Sequence, residues 1–151
     1  MIPELEFIFE AKFEVGSAQE IGHTPDGERR VIAILGGTFE GPSMRGRVLP
    51  GGADYQTVAP DGTAHLQAHY TFETDSGVLI SVVNRGMRTG SPEVLERIRA
   101  GHIVPPTDYY FRTTPIFETA APELRWMCRS IFVASGQRLP SAVGLRVWRV
   151  G

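Results

Sequence analysis

Apolar and polar residues alternate along much of this chain with a period of two. Leu5, Phe7, Phe9, Ala11, Phe13 and Val15 interleave with Glu4, Glu6, Glu10, Lys12 and Glu14, and only Ile8 breaks the rule. That pattern predicts a strand with one buried and one wet face. The alternation returns from Ala64 to Thr74, where Ala64, Leu66, Ala68, Tyr70 and Phe72 share a face and His65, Gln67, His69, Thr71 and Glu73 share the other. Further strands are predicted over Val31–Gly41, Val78–Arg88, Tyr109–Thr119, Arg129–Ala134 and Val143–Val150. Pro25-Asp26-Gly27, Pro60-Asp61-Gly62 and Asp75-Ser76-Gly77 supply turns whose glycines tolerate positive φ, and Gly16-Ser17 offers another. Gly36-Gly37 predicts a bulge or a close backbone approach, and Asn84-Arg85-Gly86 a second bulge.

Helix is scarce. Ser91 as N-cap, Pro92 and Glu93 in the first turn and Gly101 as the stop predict one helix of about ten residues. A short helical turn is expected over Pro122–Met127. Long strands joined by tight turns favour a sheet that closes on itself, because closure removes exposed edges. The expectation is a mainly β chain, residues 1–151 forming a single antiparallel β-barrel of about eight strands, with a β-sandwich as runner-up.

Composition narrows the function classes. A net charge of -2 gives no footprint for nucleic acid. No apolar run reaches the roughly 18 residues of a membrane span, and the acidic start does not resemble a signal peptide, so a cytoplasmic protein is expected. One cysteine, Cys128, excludes an internal disulfide and a cysteine-based zinc cluster, and is expected to be a small core residue. His65 and His69 lie about 13 Å apart along one strand, too far to share a metal, so neither a metal nor a cofactor is expected. Gly36-Gly37-Thr38-Phe39-Glu40-Gly41 lacks the Lys-Ser/Thr of a phosphate loop.

The candidate chemistry lies in two places. Tyr110, Arg112 and Thr114 share one face of their strand. If that face lines the lumen, Arg112 with Tyr110 stabilises a developing oxyanion; otherwise Arg112 pairs with Glu118 or Asp54 and fixes the barrel's end. Gly51-Gly52-Ala53-Asp54 lets the backbone turn sharply and aim a carboxylate, so Asp54 is a candidate general base, the alternative being a turn cap.

Gly36–Gly41, Gly51–Asp54, Tyr70-Thr71, Asn84–Gly86, Phe111–Pro115, Phe117–Thr119 and Trp126 with Arg129–Val133 occur in an order that resembles the bacterial and fungal family known as domain of unknown function 3237. The resemblance spans almost the whole chain. It implies a compact barrel similar to those of the allene oxide cyclase and dirigent kind, and metabolism of small aromatic or polyketide-like compounds. It carries Asp54, Tyr70, Asn84, Arg112 and Glu118 onto family-typical positions. Tyr55 departs from a more usual tryptophan and Cys128 from an expected asparagine. The catalytic candidates are thus Asp54, Tyr110, Arg112 and Glu118, and the ligand-binding candidates Phe39, Tyr70, Asn84 and Trp126. The expected function is a cofactor-independent cyclase, isomerase or lyase acting by acid–base chemistry on a small hydrophobic carbonyl or aromatic compound. The alternative is a non-catalytic lipocalin-like binder. A homodimer patch is expected at Ile8, Val83 and Trp148.

Overall fold

The period-two alternation is realised as nine antiparallel strands, seen in a computed structural model that describes residues 1–151. They are β1 (Leu5–Thr24), β2 (Gly27–Glu40), β3 (Arg45–Val48), β4 (Gly52–Val58), β5 (Ala64–Thr74), β6 (Leu79–Thr89), β7 (Tyr110–Glu118), β8 (Ile131–Arg138) and β9 (Ala142–Val150). One α-helix, α1 (Pro92–Arg99), and two 3₁₀ segments, Pro106–Asp108 and Pro122–Arg129, complete the chain. Helix α1 has the predicted cap, with the Ser91 side chain accepting from the Val94 N–H and Gly101 at φ +88° beyond its end.

The nine strands make eight staves. β3 and β4 both lie between β2 and β5. β3 pairs with Gly37–Glu40 and Phe72–Thr74, whereas β4 pairs with Glu28–Ile34 and Ala64–His69. They are one stave broken by Leu49-Pro50-Gly51, where proline cannot join the ladder. β1 pairs with both β2 and β9, so the sheet closes. The expected barrel is therefore found, and the sandwich is not. The β7–β8 seam is thin, with only Arg112↔Ser135 and Thr113↔Ala134 in register.

Several local expectations are corrected. Gly16-Ser17 is not a turn: β1 runs on to Thr24 and absorbs a register slip between Val15 and Ala18. Asn84–Gly86 sits in unbroken ladders on both sides, so no bulge occurs there. Gly37 shows the close approach, since a Cβ there would stand 2.0 Å from the Lys12 carbonyl oxygen. Ile8 is buried beside Phe9, because a slip between Phe7 and Phe9 switches the faces. Leu5 and Phe7 therefore point outward, and the expected dimer patch loses Ile8, while Val83 and Trp148 stay half-buried. Cys128 is exposed, not in the core.

Alternating strand direction gives the barrel two unlike ends. At one end the Asp75–Gly77 turn and the 3₁₀ segment Pro122–Arg129 close over a plug of Phe9, Phe39, Phe72, Phe117 and Phe132. Phe39 and Phe72 stack at 4.3 Å, and Phe9 meets Phe39, Phe72 and Phe117 edge-on at 5.5–5.9 Å. Such pairs add to the apolar burial that drives closure. At the other end stand the Pro25–Gly27 and Pro60–Gly62 turns and α1. Ile98, Val104 and Tyr109 pack there on Ala64, Leu66 and Phe111 as a second, smaller core. Between the two cores the barrel is hollow.

Candidate functional site

A cavity of about 60 Å³ lies in that hollow, lined by Phe13, Val15, Ile32, Ile34, Leu66, Ala68, Phe111, Val143 and Leu145. Set into this apolar wall are Asp54, Gln56, Tyr70, Asn84, Arg88, Thr113 and Arg138. The register explains the convergence. Ile32, Asp54, Ala68 and Asn84 follow one another across β2, β4, β5 and β6 as direct partners, so all four point inward. Gln56 stands two residues further along β4, opposite Arg30 and Leu66. The start of β2 and the ends of β6 and β8 reach the same rim, which brings in Arg30, Arg88 and Arg138. Outside them a vestibule of about 750 Å³ opens, shared by α1 and the turns, and Arg88, Arg138, Val15 and Ile32 border both spaces.

The polar groups form a directed relay. Arg30 Nη2 donates to Gln56 Oε1 at 2.6 Å, and Gln56 Nε2 donates to Asp54 Oδ2 at 2.8 Å. One carboxylate oxygen is thereby held, while Oδ1 is out of contact with solvent and makes no hydrogen bond. Gly51 at φ +106° and Gly52 fix the strand that carries the carboxyl; a Cβ on Gly52 would meet the His69 carbonyl oxygen at 2.5 Å. Asn84 Oδ1, Thr113 Oγ1, Arg30 Nε and Arg88 Nε are likewise buried without partners. Buried polar groups are normally satisfied, and of these five orphans four belong to residues that line the cavity, while Arg30 borders the vestibule.

Burial pushes the Asp54 carboxyl above its ordinary value, and the hydrogen bond from Gln56 and the Arg88 charge counter this in part. Burial likewise raises the Tyr70 phenol, beside Asn84, so it stays a neutral donor. Arg88 is pushed down to about 10, first by burial and then by Arg138 and Arg30. Perturbed groups of opposite kinds, gathered in a cleft, are what a functional site requires.

An uncompensated buried guanidinium costs stability. The Arg88→Met variant is therefore expected to unfold about 1 kcal/mol less readily, with Tm raised by roughly 2–4 °C in thermal denaturation without ligand.

The structure brings together some of the expected residues and scatters others. Asp54, Tyr70 and Asn84 line the cavity. Tyr110, Arg112 and Glu118 do not: β7 turns Phe111, Thr113, Pro115 and Phe117 inward and leaves these three exposed. Arg112 lies 5.2 Å over the Tyr110 ring and donates to the Phe111 carbonyl oxygen, and it pairs with neither Glu118 nor Asp54. Phe39 belongs to the plug. Trp126 sits at the plugged end against Phe132 and beneath Arg149, away from the cavity. Because Arg112 is on the outer wall, Arg112→Ala is expected to leave ligand binding unchanged and to shift stability by no more than about 0.5 kcal/mol. Titration calorimetry and thermal denaturation check this. Gln56, Arg88, Thr113 and Arg138 also line the cavity, beyond the residues that the alternation and the turn glycines single out. Their signal was a polar side chain on the apolar face of a strand, as in Ile80, Val82, Asn84, Arg88.

The family model for "Protein of unknown function (DUF3237)" matches residues 3–150. A UPF0311 protein of Rhodopseudomonas palustris is 40% identical over 152 residues, covering 99% of each chain, and its crystal structure superposes with a TM-score of 0.95. A "beta-barrel like protein" of Acinetobacter baumannii, 38% identical, superposes with a TM-score of 0.88 over 100% of this chain and 98% of its own. A protein of Penicillium herquei described as a "hydroalkoxylation enzyme" is 34% identical over 80 residues, 53% of each chain. A solved structure of an enzyme from the same fungus shares the fold, with a TM-score of 0.75 at 21% identity, covering 100% of this chain and 96% of its own. No helix is long and apolar enough to cross a membrane.

Proposed function

The chain belongs to the DUF3237 family, and for this member we propose a small-molecule enzyme that uses acid–base chemistry, with Asp54 moving the proton inside the barrel. The observation that carries the proposal is the Asp54 carboxyl in the wall of an apolar cavity, its Oδ1 without a partner while the relay from Arg30 through Gln56 fixes its other oxygen. A carboxyl raised by burial and held in one orientation suits general acid–base work. The Tyr70 hydroxyl and the Asn84 side chain, close by, position a substrate oxygen and steady charge that develops on it. Apolar walls keep bulk water away from the reacting atoms.

The reaction class that fits is proton-coupled addition, elimination or isomerisation on a hydrophobic carbonyl or aromatic compound. Hydroalkoxylation, the activity in the fungal relative's name, belongs to this class. It adds an O–H across a C=C bond, forming one C–O and one C–H bond with no net oxidation, so a single proton shuttle can serve it. Distant likeness lends the idea support; the site supplies its chemistry. Sequestration without turnover is the competing reading.

The test begins with mass spectrometry of small molecules retained through native purification. It continues with NMR-monitored turnover of 2′-hydroxychalcone, a phenol bearing a conjugated alkene, in D₂O. Cyclisation or deuterium uptake that is lost in Asp54→Asn supports the proposal. Equal turnover by that variant removes Asp54 from the mechanism, and tight retention of a ligand without any conversion favours the binder.

A further inference from the structure

The throat between cavity and vestibule carries more positive charge than its own residues neutralise. Arg30, Arg88 and Arg138 all face inward at this rim, and none of them takes part in a salt bridge. Asp54 is the one acid lining the cavity. Arg30 and Arg88 are buried, at 9% and 6% exposure, and each keeps an unpartnered Nε. Part of the cluster is already committed: Arg30 Nη2 holds Gln56, and Arg138 Nη1 donates to the Ala142 carbonyl oxygen at 3.1 Å. Arg88 is held only by its place 5.5 Å over the Phe111 ring. Further out, Glu20, Asp61 and Glu96 stand on the vestibule rim beside Arg99, which is paired with Glu28. The acids are therefore on the rim and the unpaired cations at the throat.

Clustered guanidiniums repel one another, and an anion between them relieves that repulsion. The planar fork of arginine matches a carboxylate in a way that an ammonium does not. The cavity behind the throat is apolar except for Asp54, Gln56, Tyr70, Asn84 and Thr113, so what enters beyond the cations is a mainly apolar body.

The geometry points to a small organic anion as the ligand of this site, a carboxylate with an apolar unsaturated or aromatic body. Its carboxylate lies between Arg88 and Arg138, and its body enters the cavity against Phe13, Leu66, Phe111 and Leu145. This rests on the reading of the cavity as the ligand site and adds the class of ligand. The charge and the reacting end of the molecule are thus read by different residues, the arginines at the throat and Asp54 with Tyr70 below.

The experiment measures affinities of the purified protein for two matched pairs, benzoate with benzamide and butanoate with butanamide, by calorimetry and NMR titration. At least one carboxylate is expected to bind tenfold or more tightly than its amide, with the preference shrinking as salt is raised. Arg88→Gln and Arg138→Gln are each expected to cut that preference at least fivefold. Arg138 is the less buried of the two, so its variant keeps the test open should Arg88→Gln not fold. In Asp54→Asn the preference is expected to persist or grow, since a repelling charge is gone. Equal affinity for acid and amide in both pairs, or a preference that survives both arginine variants, overturns the inference. If instead the preference is present but Asp54→Asn turns substrate over normally, the acid–base proposal fails and the anion site stands.

Discussion

Asp54→Asn is expected to lower turnover by about 10²–10⁴-fold, the usual weight of one general acid–base group, while leaving a folded barrel. Asparagine keeps the shape and can still accept from Gln56, so the loss isolates proton transfer from packing. In the wild type the acid limb of kcat/KM should lie above 3.8, the ordinary aspartate value, because burial raises this carboxyl. That limb should vanish in the variant. The same shift bears on stability with a definite sign. A carboxyl whose folded value is raised contributes stability that is fully present below its unfolded value and is lost as pH rises through the folded one. Tm of the wild type relative to Asp54→Asn should therefore fall as pH climbs upward from about 3.8. A wild-type pH profile identical to the variant's, in rate or in Tm, contradicts the environment described for Asp54.

Phe72→Ala is expected to cost about 3–5 kcal/mol, the range for emptying an aromatic site in a close-packed core. Phe72 has no exposed surface and touches Phe9, Phe13, Phe39 and Tyr70. A chain of this size loses roughly 2–4 °C of Tm per kcal/mol, so a fall of about 10 °C is expected in thermal denaturation. The effect should reach the cavity as well. Phe13 and Tyr70 line it, Phe13 stacks on Phe72 at 6.3 Å, and Tyr70 packs on the same ring at 5.4 Å. Benzoate affinity should change more in this variant than in one altered on the outer wall, such as Arg112→Ala. A loss under 1 kcal/mol would mean that the phenylalanine plug is not what holds this end shut.

How far the fold could be read from the sequence depended on the strand. β5 was legible in full, because five apolar residues alternate with polar ones and the inner set matches the structure. β7 misled because both of its faces carry aromatic and polar residues. Phe111, Pro115 and Phe117 outweigh Tyr110 and Ile116, and that count would have turned Arg112 outward. β3 and β4 were passed over, since four residues and a strand begun by glycine show little periodicity. They exist because β2 and β5 on either side supply the pairing. In the site, Asp54 was visible through its glycines, and Tyr70 and Asn84 through the family resemblance. Arg30, Arg88 and Arg138 are far apart in sequence, and only the barrel's closure brings their strand ends to one rim. Periodicity assigns faces along a strand; it does not say which strand ends become neighbours.

The slender join between β7 and β8 has a mechanical consequence. A cylinder stitched by two register pairs on one line and by eight to twelve on most others yields first at the weak line. Amides in the second half of β7 and the first half of β8 should trade hydrogen for deuterium before those of β5 and β6. Widening along that line would loosen Phe117 and Phe132, which meet across it at 4.9 Å. The part of the wall that gives way first is thus the part beside the phenylalanine plug, while the two register pairs hold it shut at Thr113, beside the cavity.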